Sequence, residues 1–179
     1  MAVWPLCLSF FLLFALDASE AEPLTGTGDG TCTLVRHETC ESEWSAYKGR
    51  CFRFFNYQHS WIDAEKQCLD YDGNLASVHS YEEYTFIQNL IKFQIQASYE
   101  AWLGGYDSVS EGTWLWSDGS NMNIQIWAPE QPDNYNGNEN CLVMNFQSSN
   151  NWNDGPCNDK WPFVCMKKYT SAFKFNVKF

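Results

Sequence analysis

The 179-residue chain has no apolar run long enough to cross a bilayer, only three histidines, and half as many basic as acidic residues. Each shortage removes a class of function. A spanning helix needs about 20 consecutive apolar residues, and the most apolar stretch, Met1 to Leu16, is shorter than that. His37, His59 and His79 have no metal-ligand spacing with one another and read as polar surface or strand-edge residues, so a histidine zinc centre is not indicated. The formal charge of −11 has the wrong sign for a phosphate backbone, so nucleic acid is an unsuitable partner. A Gly-x-Ser-x-Gly elbow and a phosphate-binding glycine loop are also missing, and no enzyme class is favoured.

What is present begins with a leader. Met1 to Leu16 is followed by Ser19-Glu20-Ala21, the pattern of a secretory signal peptide cleaved after Ala21. Residues 1–21 are read as that signal and the mature protein as secreted and extracellular, with no transmembrane segment. Cleavage removes Asp17 and Glu20, which moves the charge from −11 to −9 and leaves 158 residues, enough for one domain with extensions. It also removes Cys7. Cys32, Cys40, Cys51, Cys68, Cys141, Cys157 and Cys165 are left, and in a secreted chain they read as a disulfide framework whose connectivity the pattern alone does not decide.

Residues 22–39 read as a flexible linker, Gly-rich from Gly26 to Gly30, and residues 40–168 as the folded domain. Alternation about Lys48-Gly49 predicts two strands within Cys40 to Phe55. Ser60 caps a helix with Trp61, Ala64, Cys68 and Tyr71 on one face, ended by Gly73. Leu75 to Val78 reads as a strand, and Ser80 with Glu83 as the capping box of a second helix that buries Tyr84, Ile87 and Ile91. Trp102 to Tyr106, Thr113 to Trp116 and Cys141 to Phe146 read as strands, their tryptophans as core.

Between Gly119 and Cys141 lies an aperiodic stretch rich in Asn, Pro and Gly. A loop this long in a compact domain is usually functional or disordered. Gln131, Asp133 and Glu139 within it, with Asn153 and Asp154 beyond, are five oxygen-bearing side chains of the kind a calcium ion takes. Three of them are acidic, so a divalent ion would be slightly over-neutralised and uncharged hydroxyl ligands favoured over anions. Pro132 follows the one kind of peptide link that is cis at modest cost. A Gln-Pro-Asp triplet alone is more often a surface turn.

The framework changes that ranking. Trp102-Leu103-Gly104-Gly105, Gln131-Pro132-Asp133, Glu139 before Cys141, Trp152-Asn153-Asp154 before Cys157, and Phe163-Val164-Cys165 occur in one order. In this the chain resembles the C-type lectin-like domains, from Cys40 to Met166. The resemblance implies an α+β fold of two helices, small antiparallel sheets and a long calcium-binding loop, stapled by Cys40–Cys51, Cys68–Cys165 and Cys141–Cys157. Cys32 is then left over for an intersubunit disulfide. It further implies one Ca²⁺ held by Gln131, Asp133, Glu139, Asn153 and Asp154, because Asn134 and Asn140 are amides where members with a second ion carry acids. Sugar hydroxyls would meet Gln131, Asp133, Glu139 and Asn153, with Tyr135 stacking on the sugar face. The Gln-Pro-Asp order implies galactose-type specificity, and the family implies innate recognition of glycans.

Two other readings stay open. Fish type II antifreeze proteins are similar to this domain, although they typically carry ten cysteines, and some lectin-like domains bind protein surfaces without sugar. Residues 169–179 have no counterpart in the family pattern. Phe173, Phe175 and Val177 alternate there with Lys174, Asn176 and Lys178, as in a strand that pairs with another subunit or adds an edge to its own domain.

Overall fold

The computed structural model describes the backbone of residues 31–178 and the side chains of 39–169. Two units are distinguished, one comprising Glu38–Thr170 and the other, among the described residues, 31–37 with 171–178. In the smaller one, β1 (Thr31–Thr39) and β10 (Thr170–Lys178) form a two-stranded sheet of their own. The segment read as linker therefore includes a strand, and the C-terminal extension pairs within the chain. The signal sequence, residues 1–21, lies outside the described residues, as does the Cys32 side chain.

The larger unit is built on a sheet in the order β2 (Ser45–Tyr47), β3 (Arg50–His59), β9 (Trp161–Lys168), β5 (Ala101–Tyr106), β7 (Cys141–Phe146) and β8 (Asn151–Gly155). All pairs are antiparallel except β5 with β9, joined in parallel at Trp102 and Phe163. Short β4 (Asn74–Leu75) pairs with β9, and β6 (Leu115–Trp116) with β5.

Successive strand residues face opposite sides of a sheet, and here both sides are apolar. Phe52, Phe54, Leu103, Leu142, Met144, Val164 and Met166 join one core, together with Tyr84, Ile87 and Ile91 of α2 (Tyr81–Ile95). Cys51, Phe55, Trp102, Val143, Phe163 and Cys165 join another, with Ala64 and Cys68 of α1 (Trp61–Leu69). The sheet is thus sandwiched between two cores. Disulfides join Cys40 to Cys51, Cys68 to Cys165 and Cys141 to Cys157, the pairs that the resemblance implies. The second closes 97 residues, which in the chain-entropy model constrains the unfolded state by about 4–5 kcal/mol.

Both helices begin where their caps predict, since Ser60 Oγ accepts from Asp63 N–H and Ser80 Oγ from Glu83 N–H. The Glu83 carboxylate reaches past the cap residue to His79 N–H at 2.8 Å and also accepts from Arg50 Nη1 at 2.7 Å.

Three boundaries differ from expectation. α1 ends at Leu69, before Tyr71, and the residue with left-handed geometry is Asp72 (φ 59°) rather than Gly73. Gly73 answers to crowding, because a Cβ there would meet the Met166 carbonyl oxygen at 2.4 Å. The expected strand Leu75 to Val78 is only β4, because Ala76 turns from one neighbour to another, donating its N–H to Val164 O and accepting from Gly104 N–H. β6 likewise covers only Leu115–Trp116. Among the described residues, no helix is long and apolar enough to cross a membrane.

Candidate functional site

Trp152 anchors the site. Its side chain is fully buried, edge-on to Trp116 and Trp127, and its backbone bonds both ways with the long loop: Trp152 N–H to Ile126 O and Ala128 N–H to Trp152 O, each 2.8 Å. The loop therefore lies along β8, and the Cys141–Cys157 disulfide ties the strand into which it leads. Gln131 N–H then closes a turn onto Ala128 O, and the Gln131–Pro132 peptide is cis.

From Asp133 onward the loop is organised by carboxylates. Asp154, in β8 opposite Leu142, accepts Asp133 N–H on Oδ1 at 3.1 Å and Asn134 N–H on Oδ2 at 2.7 Å. Asn134 is left-handed (φ 44°) and leads into a single 3-10 turn, Tyr135–Gly137. Glu139 Oε2 accepts Tyr135 N–H at 3.1 Å, and Glu139 N–H returns to Asn134 Oδ1 at 3.0 Å.

Asp133, Glu139 and Asp154 are thereby brought together, with one carboxylate oxygen of each within 4.8 Å of the others. They are respectively exposed, half-buried and buried. Burial raises the Asp154 pKa, the N–H groups of Asn134 and Asp133 oppose the rise, and the Asp133 charge adds to it. Burial also raises the Glu139 pKa, eased by Tyr135 N–H and reinforced by Asp154 and Asp133. The described ion pairs join Arg50 to Glu83, Arg53 to Glu43 and Lys167 to Glu41, all away from this cluster.

The amides beside the carboxylates are informative. Gln131 Oε1 and Asn153 Oδ1 are both buried with no hydrogen-bond partner, a costly state for polar atoms. Asn153 Nδ2, by contrast, donates to the Asp154 carbonyl. The three mutually repelling carboxylates are oxygen donors that fit a hard divalent cation, and the two orphaned amide oxygens belong to the residue two before Asp133 and the residue next to Asp154.

Tyr135 is 67% exposed, which leaves the residue open to solvent. Asn140 contributes its carbonyl to Asp107 N–H. His59 and His79 bond the Gln58 carbonyl and the Asn123 and Ser77 side chains respectively.

Sequence reading missed Glu111 and Asp107. Glu111 accepts from Asn134 Nδ2, and its pKa is raised by partial desolvation and then by the Asp107 and Asp154 charges, although the residue is exposed. Asp107 is buried, with Oδ2 on Gly112 N–H at 2.8 Å and Oδ1 unpartnered. Their four-residue spacing in a turn carries little signal, because the fold supplies the link across 23 residues to Asn134.

A domain of this architecture, with a carboxylate-bearing loop that runs along β8 and leads into β7 at the Cys141–Cys157 disulfide, is a lectin-like domain. The chain belongs to the C-type lectin domain family, whose model, "Lectin C-type domain", matches residues 57–167. It is 39% identical over 129 residues to the galactose-specific lectin nattectin of Thalassophryne nattereri, covering 72% of this chain and 80% of that protein. It is 32% identical over 170 residues to the type-2 ice-structuring protein of Osmerus mordax, covering 95% and 93%. A solved Ca²⁺-dependent type II antifreeze protein, in its Ca²⁺-free form, superposes with a TM-score of 0.67 at 34% identity, over 72% of this chain and all of that one.

Proposed function

We propose that the protein is a secreted, calcium-dependent lectin that binds galactose-type sugars and has no enzymatic activity. The observation that carries the reading is the pair of buried, unpartnered oxygens on Gln131 and Asn153 beside three converging carboxylates. Gln131, Asp133, Glu139, Asn153 and Asp154 would hold one calcium ion. When bound, the ion supplies coordination positions that neighbouring sugar hydroxyls can occupy.

The protein groups do the discriminating. A hydroxyl has lone pairs to coordinate or accept with and one proton to donate. The carboxylates of Asp133 and Glu139 accept such protons, whereas the amides of Gln131 and Asn153 can donate to a hydroxyl oxygen. The order of amide and acid across Pro132 therefore sets which hydroxyl geometry is matched. Tyr135, whose exposure leaves it free to meet a ligand, would cover the apolar face of a galactose ring. Nattectin's name, galactose-specific lectin, supports the same specificity.

The test is an exchange. Replacing Gln131→Glu together with Asp133→Asn should move retention from immobilised galactose to immobilised mannose, with calcium required for both. A double variant that keeps its galactose preference would contradict the assignment.

One shallow site of this kind binds at about 4 kcal/mol, near millimolar, so useful avidity requires linked copies. Cys32, outside the three disulfides, and the two-stranded sheet that the C-terminal extension forms with β1 are the proposed points of self-association. If deleting 169–179 and replacing Cys32→Ser both leave the sedimentation coefficient unchanged, that assembly route is wrong.

A second reading is favoured by the near full-length similarity to the ice-structuring protein: the same loop would bind ice. Thermal hysteresis in a calcium-loaded sample separates the two.

A further inference from the structure

The long loop enters β7 at Cys141, and beyond the other end of that strand a groove of about 360 Å³ opens at the surface. Its one fully buried lining residue is Asn145, near the end of β7, and that residue is committed to structure. Left-handed (φ 60°), it donates its N–H to Tyr84 Oη at 3.1 Å, accepts Gln88 Nε2 on Oδ1 at 3.1 Å and donates Nδ2 to the Tyr99 carbonyl at 3.0 Å. Tyr84 Oη donates in turn to the Asn150 carbonyl at 2.6 Å. Helix α2 thus fixes one wall of the groove through Tyr84 and Gln88, and Asn145 fixes the other through Tyr99. The walls are set before any ligand arrives, which lowers the ordering cost of binding.

The groups around the rim are uncommitted by comparison. Glu100 accepts Gln147 N–H only at 3.4 Å, and neither Glu100 nor Lys160 enters an ion pair among the described residues. Gln58 and Gln147 bond through backbone atoms alone among those residues, so both side-chain amides are free. Trp161 is half-buried, its ring centroid 4.5 Å from that of Trp102, and Tyr99 is exposed. One carboxylate and one ammonium cancel in charge, so neither an anion nor a cation is favoured. Together with two amides they offer donors and acceptors side by side, which suits hydroxyls that each donate one proton and accept through lone pairs. The aromatic residues add apolar surface. Small-molecule sites occupy about 300–1,000 Å³, and a groove at the lower end of that range holds one ring.

We propose that this groove is a second, calcium-independent site for one uncharged sugar ring, with Glu100 accepting hydroxyl protons and Lys160, Gln58 and Gln147 donating to hydroxyl oxygens. The proposal goes beyond the calcium-cage reading and does not depend on it. It gives a single chain two sugar contacts at opposite ends of β7.

The test uses the mature protein in excess chelator, which silences any calcium site. Methyl β-galactoside, methyl α-mannoside and N-acetylglucosamine are each titrated to about 100 mM, enough to reveal a millimolar site. Two-dimensional NMR follows the side-chain amides and indole N–H groups. At least one sugar should shift the Gln58 and Gln147 amides and the Trp161 indole along a saturable curve. Glu100→Ala and Lys160→Ala should each weaken that curve by about tenfold or more, the usual scale for a hydrogen bond to a charged group. Both residues lie outside the cores, so the variants keep the fold. The proposal is overturned if none of the three sugars gives a saturable shift at those groups, or if neither variant weakens it. A response confined to the long loop contradicts it too. Glycine, titrated in parallel, is the control for recognition of charge alone: glycine shifting these groups where the sugars do not would also overturn the proposal. Failure of calcium-dependent galactose retention would remove the cage reading and leave this result standing.

Discussion

Glu83 and Asp154 are both buried carboxylates that accept backbone N–H groups, and the difference between them separates what holds this molecule together from what it offers to a ligand. Glu83 takes His79 N–H on one oxygen and the Arg50 guanidinium on the other, while Arg50 also donates to the Ser77 carbonyl and hydroxyl at 3.0 and 2.7 Å. Its counter-charge is built into the chain. Asp154 takes two loop N–H groups, but the charged groups nearest to it in the cluster are Asp133 and Glu139. A carboxylate with its own guanidinium is a structural joint. A carboxylate placed against two more carboxylates leaves its counter-charge to be supplied from outside.

The largest effect that would break this comparison is on the structural side. Removing one partner of a buried pair strands the other charge and typically costs about 3–5 kcal/mol. Arg50→Ala should therefore lose stability on that scale in urea unfolding, with or without calcium, and a loss under about 1 kcal/mol would contradict the role assigned to Glu83.

The next effect lies on the ligand side. Calcium at a hundredfold excess over its Kd should stabilise the wild-type protein by about 2.7 kcal/mol, reversibly with a chelator. Glu139→Ala should abolish that gain without weakening the metal-free fold, because it also removes a like-charged neighbour. If Glu139→Ala still gains stability from calcium, the cage is wrongly composed.

The smallest effect sharpens the comparison through pH. Asp154 and Glu139 have native pKa values raised above their ordinary ones, so in this part of the molecule the native state binds protons more readily than the unfolded chain. Their contribution in the metal-free protein is destabilising at neutral pH. It is relieved as pH falls through the raised values toward the ordinary carboxylate range near ~4. With calcium present the sign reverses, since protons compete with the ion and its stabilisation fades over the same window. The contribution is read as the difference between wild type and Glu139→Gln, each followed by thermal unfolding with and without calcium. A calcium-induced shift in wild type that does not change between neutral pH and that window would contradict the coupling.

The structural side of the comparison was the more legible in the residues. Ser60 and Ser80 mark helix starts by local chemistry, and the alternation Phe52, Arg53, Phe54 exposes a strand without knowledge of its partners. Where the outcome depends on a distant neighbour, local reading fails. Gly73 looked like a helix stop and proved to make room for the Met166 carbonyl, while Ala76 left its strand to bridge Val164 and Gly104.

The site divides in the same way. Gln131, Asp133, Glu139, Asn153 and Asp154 could be named as oxygen donors from residue chemistry, and their grouping came from a resemblance. The wiring of the loop was invisible, because its hydrogen bonds run from Asp133 and Asn134 to a carboxylate 21 and 20 residues away. Glu111 was invisible for the same reason.

The measurement that tests the central claim most directly is retention of the mature protein on immobilised galactose and, in parallel, mannose, first with calcium and then with a chelator. The account predicts retention on galactose that the chelator reverses, weak or no retention on mannose, and loss of galactose retention in Glu139→Ala. Passage through both columns by a protein that demonstrably binds calcium would contradict it and shift the weight to ice as the ligand.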